Sequence, residues 1–178
     1  SEGVEVDFLI NDRVWKVFTT RVDTLFGVTF LVVSAQHPDL MSLVTADRKR
    51  DVEKFLKKVR STKEEDMDKL DKEGVFTGSY AIHPLTEKKI PIWFGNFVVA
   101  DYGSGIVMGV PAHDDRDFEF AKKYGLEINE VIRPKGGGPK DSNKSKEAYI
   151  GHGILVNSDA FNGLFSDEAI EHIRIALE

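Results

Sequence analysis

The chain has 178 residues, 41% of them hydrophobic, enough for one substantial core but not for two large domains. It contains no cysteine, which excludes disulfides and thiolate metal sites and points to an intracellular, cytoplasmic setting. With 24 Lys plus Arg against 30 Asp plus Glu the net charge is −6, which argues against a broad electrostatic grip on a nucleic-acid backbone yet leaves room for a pocket holding one or two terminal nucleotides.

In chain order, Val4–Ile10 alternates apolar and polar residues, Asn11-Asp12 supplies turn chemistry, and Val14–Phe18 follows, which predicts a β-hairpin. Gly27–Val33 is rich in β-branched and aromatic residues and predicts a buried strand, ended by His37-Pro38. Between Thr45 and Glu73 the spacing turns helical. Val52, Phe55, Leu56 and Val59 form one apolar stripe and a charged run follows at Lys63–Lys72, so two helices are expected. After Gly74, the segments Val75–Ile82, Ile90–Phe94, Phe97–Ala100 and Ile106–Val110 predict short strands, making the core mainly β.

Asp115–Tyr124 predicts a helix with acids in its first turn, Lys122-Lys123 in its last and Gly125 as C-cap. Val131–Arg133 predicts a further strand. The run PKGGGPKDSNKSK, Pro134–Lys146, is almost free of apolar residues and predicts a mobile loop over 134–147. Asp167–Leu177 carries Ala169, Ile170, Ile173 and Leu177 at helical spacing, with Ser166 as N-cap. Apolar stretches such as Phe30–Ala35 and Ile106–Ala112 fall far below the ~18 residues of a membrane span, so no membrane partner is expected.

Three clusters could carry chemistry. Thr19-Thr20-Arg21-Val22-Asp23-Thr24 gathers hydroxyls and an ion pair between two apolar segments; the structural alternative is strand threonines plus an Arg21–Asp23 pair. Gly103-Ser104-Gly105 resembles a dinucleotide-binding turn in part, but the glycine spacing is wrong and β-type residues follow where that motif needs a helix. His113-Asp114-Asp115-Arg116-Asp117 opens the helix. Asp114 or Asp115 would serve as its cap, and a metal would need a further convergent ligand that His37, His83 and His152 do not supply by spacing. The helix end gives Asp117 another use: peptide dipoles favour the ionised carboxylate at neutral pH, and an ionised Asp can hold the free ammonium of an aminoacyl ester.

Taken together, VFTTRVDTLFGVTFLV and YGSGIVMGVPAHDDRDFEFAKKYGL resemble the two motifs of the leucyl-tRNA synthetase editing domain, and SEGVEVDF and AYIGHGILVNSDAFNGL extend the similarity over essentially the whole chain. The isoleucyl and valyl relatives share the fold, but Asp23–Gly27 and His113–Asp117 resemble the leucyl version more closely. The resemblance implies an α+β fold with a β-barrel-like core and peripheral helices. It implies one editing domain over 1–178, inserted in a class I synthetase, with the ATP-dependent chemistry elsewhere and no cofactor here. It further implies that Thr24 blocks leucine's side chain, Thr19 and Thr20 lie beside the scissile ester, and Asp117 binds the α-amino group. Arg21 matches a position near the terminal nucleotide and Tyr102 one near its adenosine; Met108, Val110, His113 and Asp114 line or support the pocket. Val22 stands where the family usually has proline, which removes a fixed φ from the threonine loop.

The function so implied is hydrolysis of the ester on mischarged leucine tRNA carrying valine, isoleucine or norvaline, with leucine excluded. The partners are the aminoacylated 3′ end and the remainder of the synthetase. Two other readings stand beside it: a catalytically weak module that only binds the aminoacylated RNA end, and a metal-dependent hydrolase using His113, Asp114 and Asp117.

Overall fold

The computed structural model describes residues 3–67, 69–98, 104–136 and 147–178. The first hairpin joins β1 (Val4–Ile10) and β2 (Arg13–Thr19) antiparallel, from Val4 opposite Thr19 to Ile10 opposite Arg13. Asn11 and Asp12 take φ of 49° and 64°, the two positive values that a two-residue hairpin turn requires, and side chains that hydrogen-bond locally tolerate them. The alternation in β1 sends Val6, Phe8 and Ile10 into the core.

The expected strand at Gly27–Val33 is shorter than its composition suggests. Residues Val22–Gly27 form a 3₁₀ turn, and β3 occupies only Phe30–Val33, all four residues buried. Val28 and Thr29, between the turn and the strand, are buried without being paired as strand, so their β-type composition misplaces the boundary. β4 (Gly74–Ile82), β5 (Lys89–Gly95) and β6 (Ile106–Gly109) complete a sheet of order β2-β1-β4-β5-β3-β6. The β3–β5 ladder is parallel and the others are antiparallel. Phe97 and Val98 lie outside any strand, while the rest of that expected segment falls outside the described residues.

No ladder joins β2 to β6 among the described residues, so the expected barrel-like core is here an open six-stranded sheet. Its two edges nevertheless approach each other, and Ser104 Oγ donates to Lys16 O at 2.9 Å. With only four residues, β6 spends its pairing on β3.

Helix α1 (Lys49–Arg60) buries Val52, Leu56 and Val59 beside β4, and a single turn α2 (Glu64–Met67) follows. Helix α3 (Asp115–Tyr124) ends at Gly125, whose φ of 66° is the left-handed C-cap expected of glycine. A small β7 (Ile132–Arg133) and β8 (Ile154–Leu155) pair antiparallel. Helix α4 (Ser166–Ala176) packs on the 3₁₀ turn through buried Ala169 and Ile173. Ser166 is the helix's first residue and not its cap: it is fully buried, and its Oγ exchanges hydrogen bonds with Gly153 N and O. Of the expected loop at 134–147, residues 137–146 lie outside the described set. No helix among the described residues is long and apolar enough to cross a membrane.

Candidate active site

The threonine run leaves β2 at Thr19 and folds back on itself around one backbone unit. Thr19 Oγ1 accepts from Arg21 N at 2.9 Å, while Thr24 sends both its N–H (3.0 Å) and its Oγ1 hydroxyl (2.7 Å) to Arg21 O. Thr24 is 3% exposed and cannot swing away without breaking that bond. Val22, which opens the 3₁₀ turn, is sunk in the main core. Packing therefore holds the loop at the place where a proline would have held it by its ring. The Arg21–Asp23 pair anticipated as the structural alternative is present and bidentate, Nε to Oδ1 at 3.0 Å and Nη2 to Oδ2 at 2.9 Å.

Across from this run, β6 leads through Val110 and His113 into α3. Asp114 is the N-cap: its backbone is extended (φ −146°, ψ 128°) and its side chain accepts from Asp117 N at 3.0 Å. Asp117 Oδ2 in turn accepts from Val110 N at 2.8 Å, which ties the first turn of α3 to the end of β6. Its other oxygen has no hydrogen-bond partner among the described residues.

The expectation that Asp117 is ionised at neutral pH does not hold for the folded chain by itself. Burial first, and the nearby Asp114 second, push its carboxyl up to about 8, against the opposing Val110 N–H and Arg116. Loss of water outweighs one amide bond and the helix end. Because the folded-state value lies above the unfolded one, this group's stabilising contribution is complete below about pH 4 and is lost as pH rises toward about 8. Asp117→Asn should therefore melt higher than the parent chain at pH 8–9, by on the order of 5 °C, with the gap closing toward pH 4. Equal melting curves across that range would show that the carboxyl is not held in its neutral form.

His113 is a staple for three backbone groups. Tyr149 O can only accept, so Nδ1–H donates to it at 2.7 Å, and Nε2 accepts from Val131 N at 3.0 Å and Ile132 N at 3.1 Å. Burial lowers its pKa further, so the ring is neutral with both nitrogens occupied. It is thereby removed both as a proton acceptor and as a metal ligand, which leaves the metal-hydrolase reading without its histidine. His83 is locked in the mirror arrangement, Nε2–H to Leu25 O at 2.8 Å and Nδ1 accepting from Leu85 N and Thr86 N.

These elements enclose a cavity of about 300 Å³. Thr19, Thr20, Arg21, Thr24, Met108, Val110, His113, Asp114 and Asp117 all line it, although they come from two segments some ninety residues apart. Tyr102 lies outside the described residues. Five further lining residues carry no signal of their own in the sequence: Phe18, Phe97, Val98 and Val107 are ordinary core types, and Arg116 sits in a charged run. A wider groove of about 790 Å³ lies between the 83–91 and 125–131 segments. Size favours the groove, but chemistry favours the smaller cavity, where a buried carboxyl and hydroxyls converge.

The model of the family described as "Leucyl-tRNA synthetase, editing domain" matches residues 1–178. The chain belongs to that family. Among its relatives, the leucine–tRNA ligase of Geotalea daltonii is 49% identical over 182 residues and that of Mycoplasmopsis pulmonis 46% over 181, each match covering 100% of this chain and 22% of the ligase. This editing-domain chain thus spans about a fifth of the length of those relatives. A solved structure described as the ternary complex of Agrobacterium radiobacter K84 agnB2 LeuRS with tRNA and LeuAMS is similar with a TM-score of 0.65 and 32% identity, over 82% of this chain and 18% of the other.

Proposed function

We propose that this editing-domain chain hydrolyses the ester of leucine tRNA wrongly charged with valine, isoleucine or norvaline, and spares leucine. The observation that carries the reading is one small cavity with a buried carboxyl, Asp117, on one wall and an immobilised threonine, Thr24, on another. A synthetic site separates side chains differing by one methylene by only about 1–3 kcal/mol, so a second sieve that passes smaller or differently branched side chains is the chemical remedy. At about 300 Å³ the cavity is at the lower end of small-ligand sites, where the placement of one methyl group, on Cβ in isoleucine or on Cγ in leucine, decides entry.

In this reading Asp117 receives the α-ammonium, and Thr24 meets the side chain. Thr19 retains a hydroxyl proton to donate, because its oxygen already accepts from Arg21 N. With the exposed Thr20 it positions water at the ester carbonyl and steadies the oxyanion, and the neighbouring ribose hydroxyl assists proton transfer. No side-chain base is required of the protein, in keeping with the doubly occupied His113. The net charge of −6 fits a domain that takes only the RNA end, leaving the grip on the rest of the tRNA to the body of the ligase.

The deciding experiment compares valyl-, isoleucyl- and leucyl-tRNA as substrates of the chain. Loss of the first two esters with leucyl-tRNA left intact is the expected result. Binding of the acylated end without turnover would instead establish the weak binding module.

A further inference from the structure

Two arginines line the cavity, and one of them is already spent. Arg21 has five N–H donors, and four are committed: two to Asp23, one from Nη1 to Ile150 O at 3.1 Å and one from Nη2 to Gly151 O at 3.3 Å. Its backbone is equally occupied, the N–H by Thr19 Oγ1 and the carbonyl by both polar groups of Thr24. Asp23 is 0% exposed and does not line the cavity, so the pair is oriented by the protein and not by a ligand. The segment it reaches is fixed from another side too, since His113 holds Tyr149 O and Tyr149 N donates to Ala112 O. Three consecutive carbonyls, 149 to 151, are thus gripped by two cavity residues from separate parts of the chain.

We propose that Arg21 and Asp23 act as a positioning pair that locks the threonine run to the 149–151 segment, and that Arg21 does not serve as a phosphate contact for the RNA end. The physical case is that a guanidinium held by a buried carboxylate and two carbonyls would have to abandon them to meet a phosphate, leaving Asp23 buried and unpaired. What the pair supplies is placement. Arg21 O sets the Thr24 side chain and Arg21 N sets Thr19 Oγ1, so a small rotation at residue 21 moves both. The proposal rests on the hydrolytic reading for its kinetic consequence but not for its structural one.

The test uses the 178-residue chain, its Arg21→Ala, Arg21→Lys and Asp23→Asn variants, and the Arg21→Ala/Asp23→Asn double variant, with isoleucyl-tRNA as substrate. Asp23→Asn is expected to lower kcat ~10-fold or more although it touches no substrate, and Arg21→Ala should do the same. The double variant should be no worse than the poorer single one. Lysine should not rescue, because it cannot make the fork. The salt dependence of KM should be unchanged throughout. In Asp23→Asn, amide exchange should accelerate together at residues 19–24 and 149–151.

Opposite outcomes are equally readable. A rise in KM for Arg21→Ala, with the slope of log KM against log salt reduced by about 0.7 and Asp23→Asn behaving as the parent, would make Arg21 a phosphate ligand and overturn the proposal. Unchanged kcat per folded molecule in every variant, with only a lower Tm, would reduce the pair to a structural bridge and overturn it as well. Should Arg21→Ala not fold, Asp23→Asn keeps its size and one acceptor and carries the test alone. An inactive parent chain would refute the hydrolytic reading, while the exchange measurement would still decide whether the two segments are locked.

Discussion

Asp117→Ala is expected to reduce deacylation of isoleucyl-tRNA by on the order of 10²- to 10³-fold, the cost of leaving one member of a desolvated charge pair without its partner. The geometry supports this expectation: Asp117 is 6% exposed, bonded at Oδ2 to Val110 N, and its other oxygen has no protein partner among the described residues. Its protonation state adds a second signature. The protein alone pushes the carboxyl up to about 8, and a free α-amino group titrates at roughly 7.7–8.0, so the bound pair contains one proton between two groups. Below both values a proton must leave on binding and above both one must be taken up. The kcat/KM profile should therefore be bell-shaped around pH ~8, with a tenfold fall per unit on the acid limb. Near-normal turnover by Asp117→Ala, or a flat profile from pH 6 to 8, would remove Asp117 from the role of ammonium receptor.

Thr24→Ala is expected to convert leucyl-tRNA from a spared product to a substrate, raising its hydrolysis by roughly 10- to 200-fold while isoleucyl-tRNA turnover changes little. A wall excludes only if it cannot yield. The Thr24 hydroxyl is pinned to Arg21 O at 2.7 Å, and α4 packs against the turn that carries it. Thr24→Val separates the two contributions, because it keeps the volume and loses the pin. If bulk is what rejects leucine, valine preserves most of the protection; if leucyl-tRNA stays intact in Thr24→Ala, the steric role is refuted.

Much of the frame was legible in the residues because it depends on neighbours in sequence. The Asn11-Asp12 turn, the α3 boundaries with Asp114 before them and Gly125 after, and the alternation of β1 are all local patterns, and each occurs where its chemistry places it. The failures have a common origin. The strand expected over Gly27–Val33 begins only at Phe30 because Gly27 closes the 3₁₀ turn that carries Val22 and Leu25 into the core, and Ser166 enters a helix as a buried partner of Gly153 because tertiary contacts outbid its capping preference.

For the site, two motifs in the right order were enough to select the family and nine of the residues that line the cavity, since a run of side chains at fixed spacing is itself sequence information. Their states were not. Whether Asp117 carries a charge depends on how much water the fold removes around it. Which nitrogen of His113 bears the proton depends on Tyr149 O and on two amides at 131 and 132. Beyond its neighbour Asp23, the acceptors that Arg21 meets, Ile150 O and Gly151 O, lie 129 and 130 residues further along the chain. Local pattern and resemblance named nine of the residues that line this cavity; what each can still do there follows from packing, because desolvation and long-range hydrogen bonds exist only once distant segments are brought together.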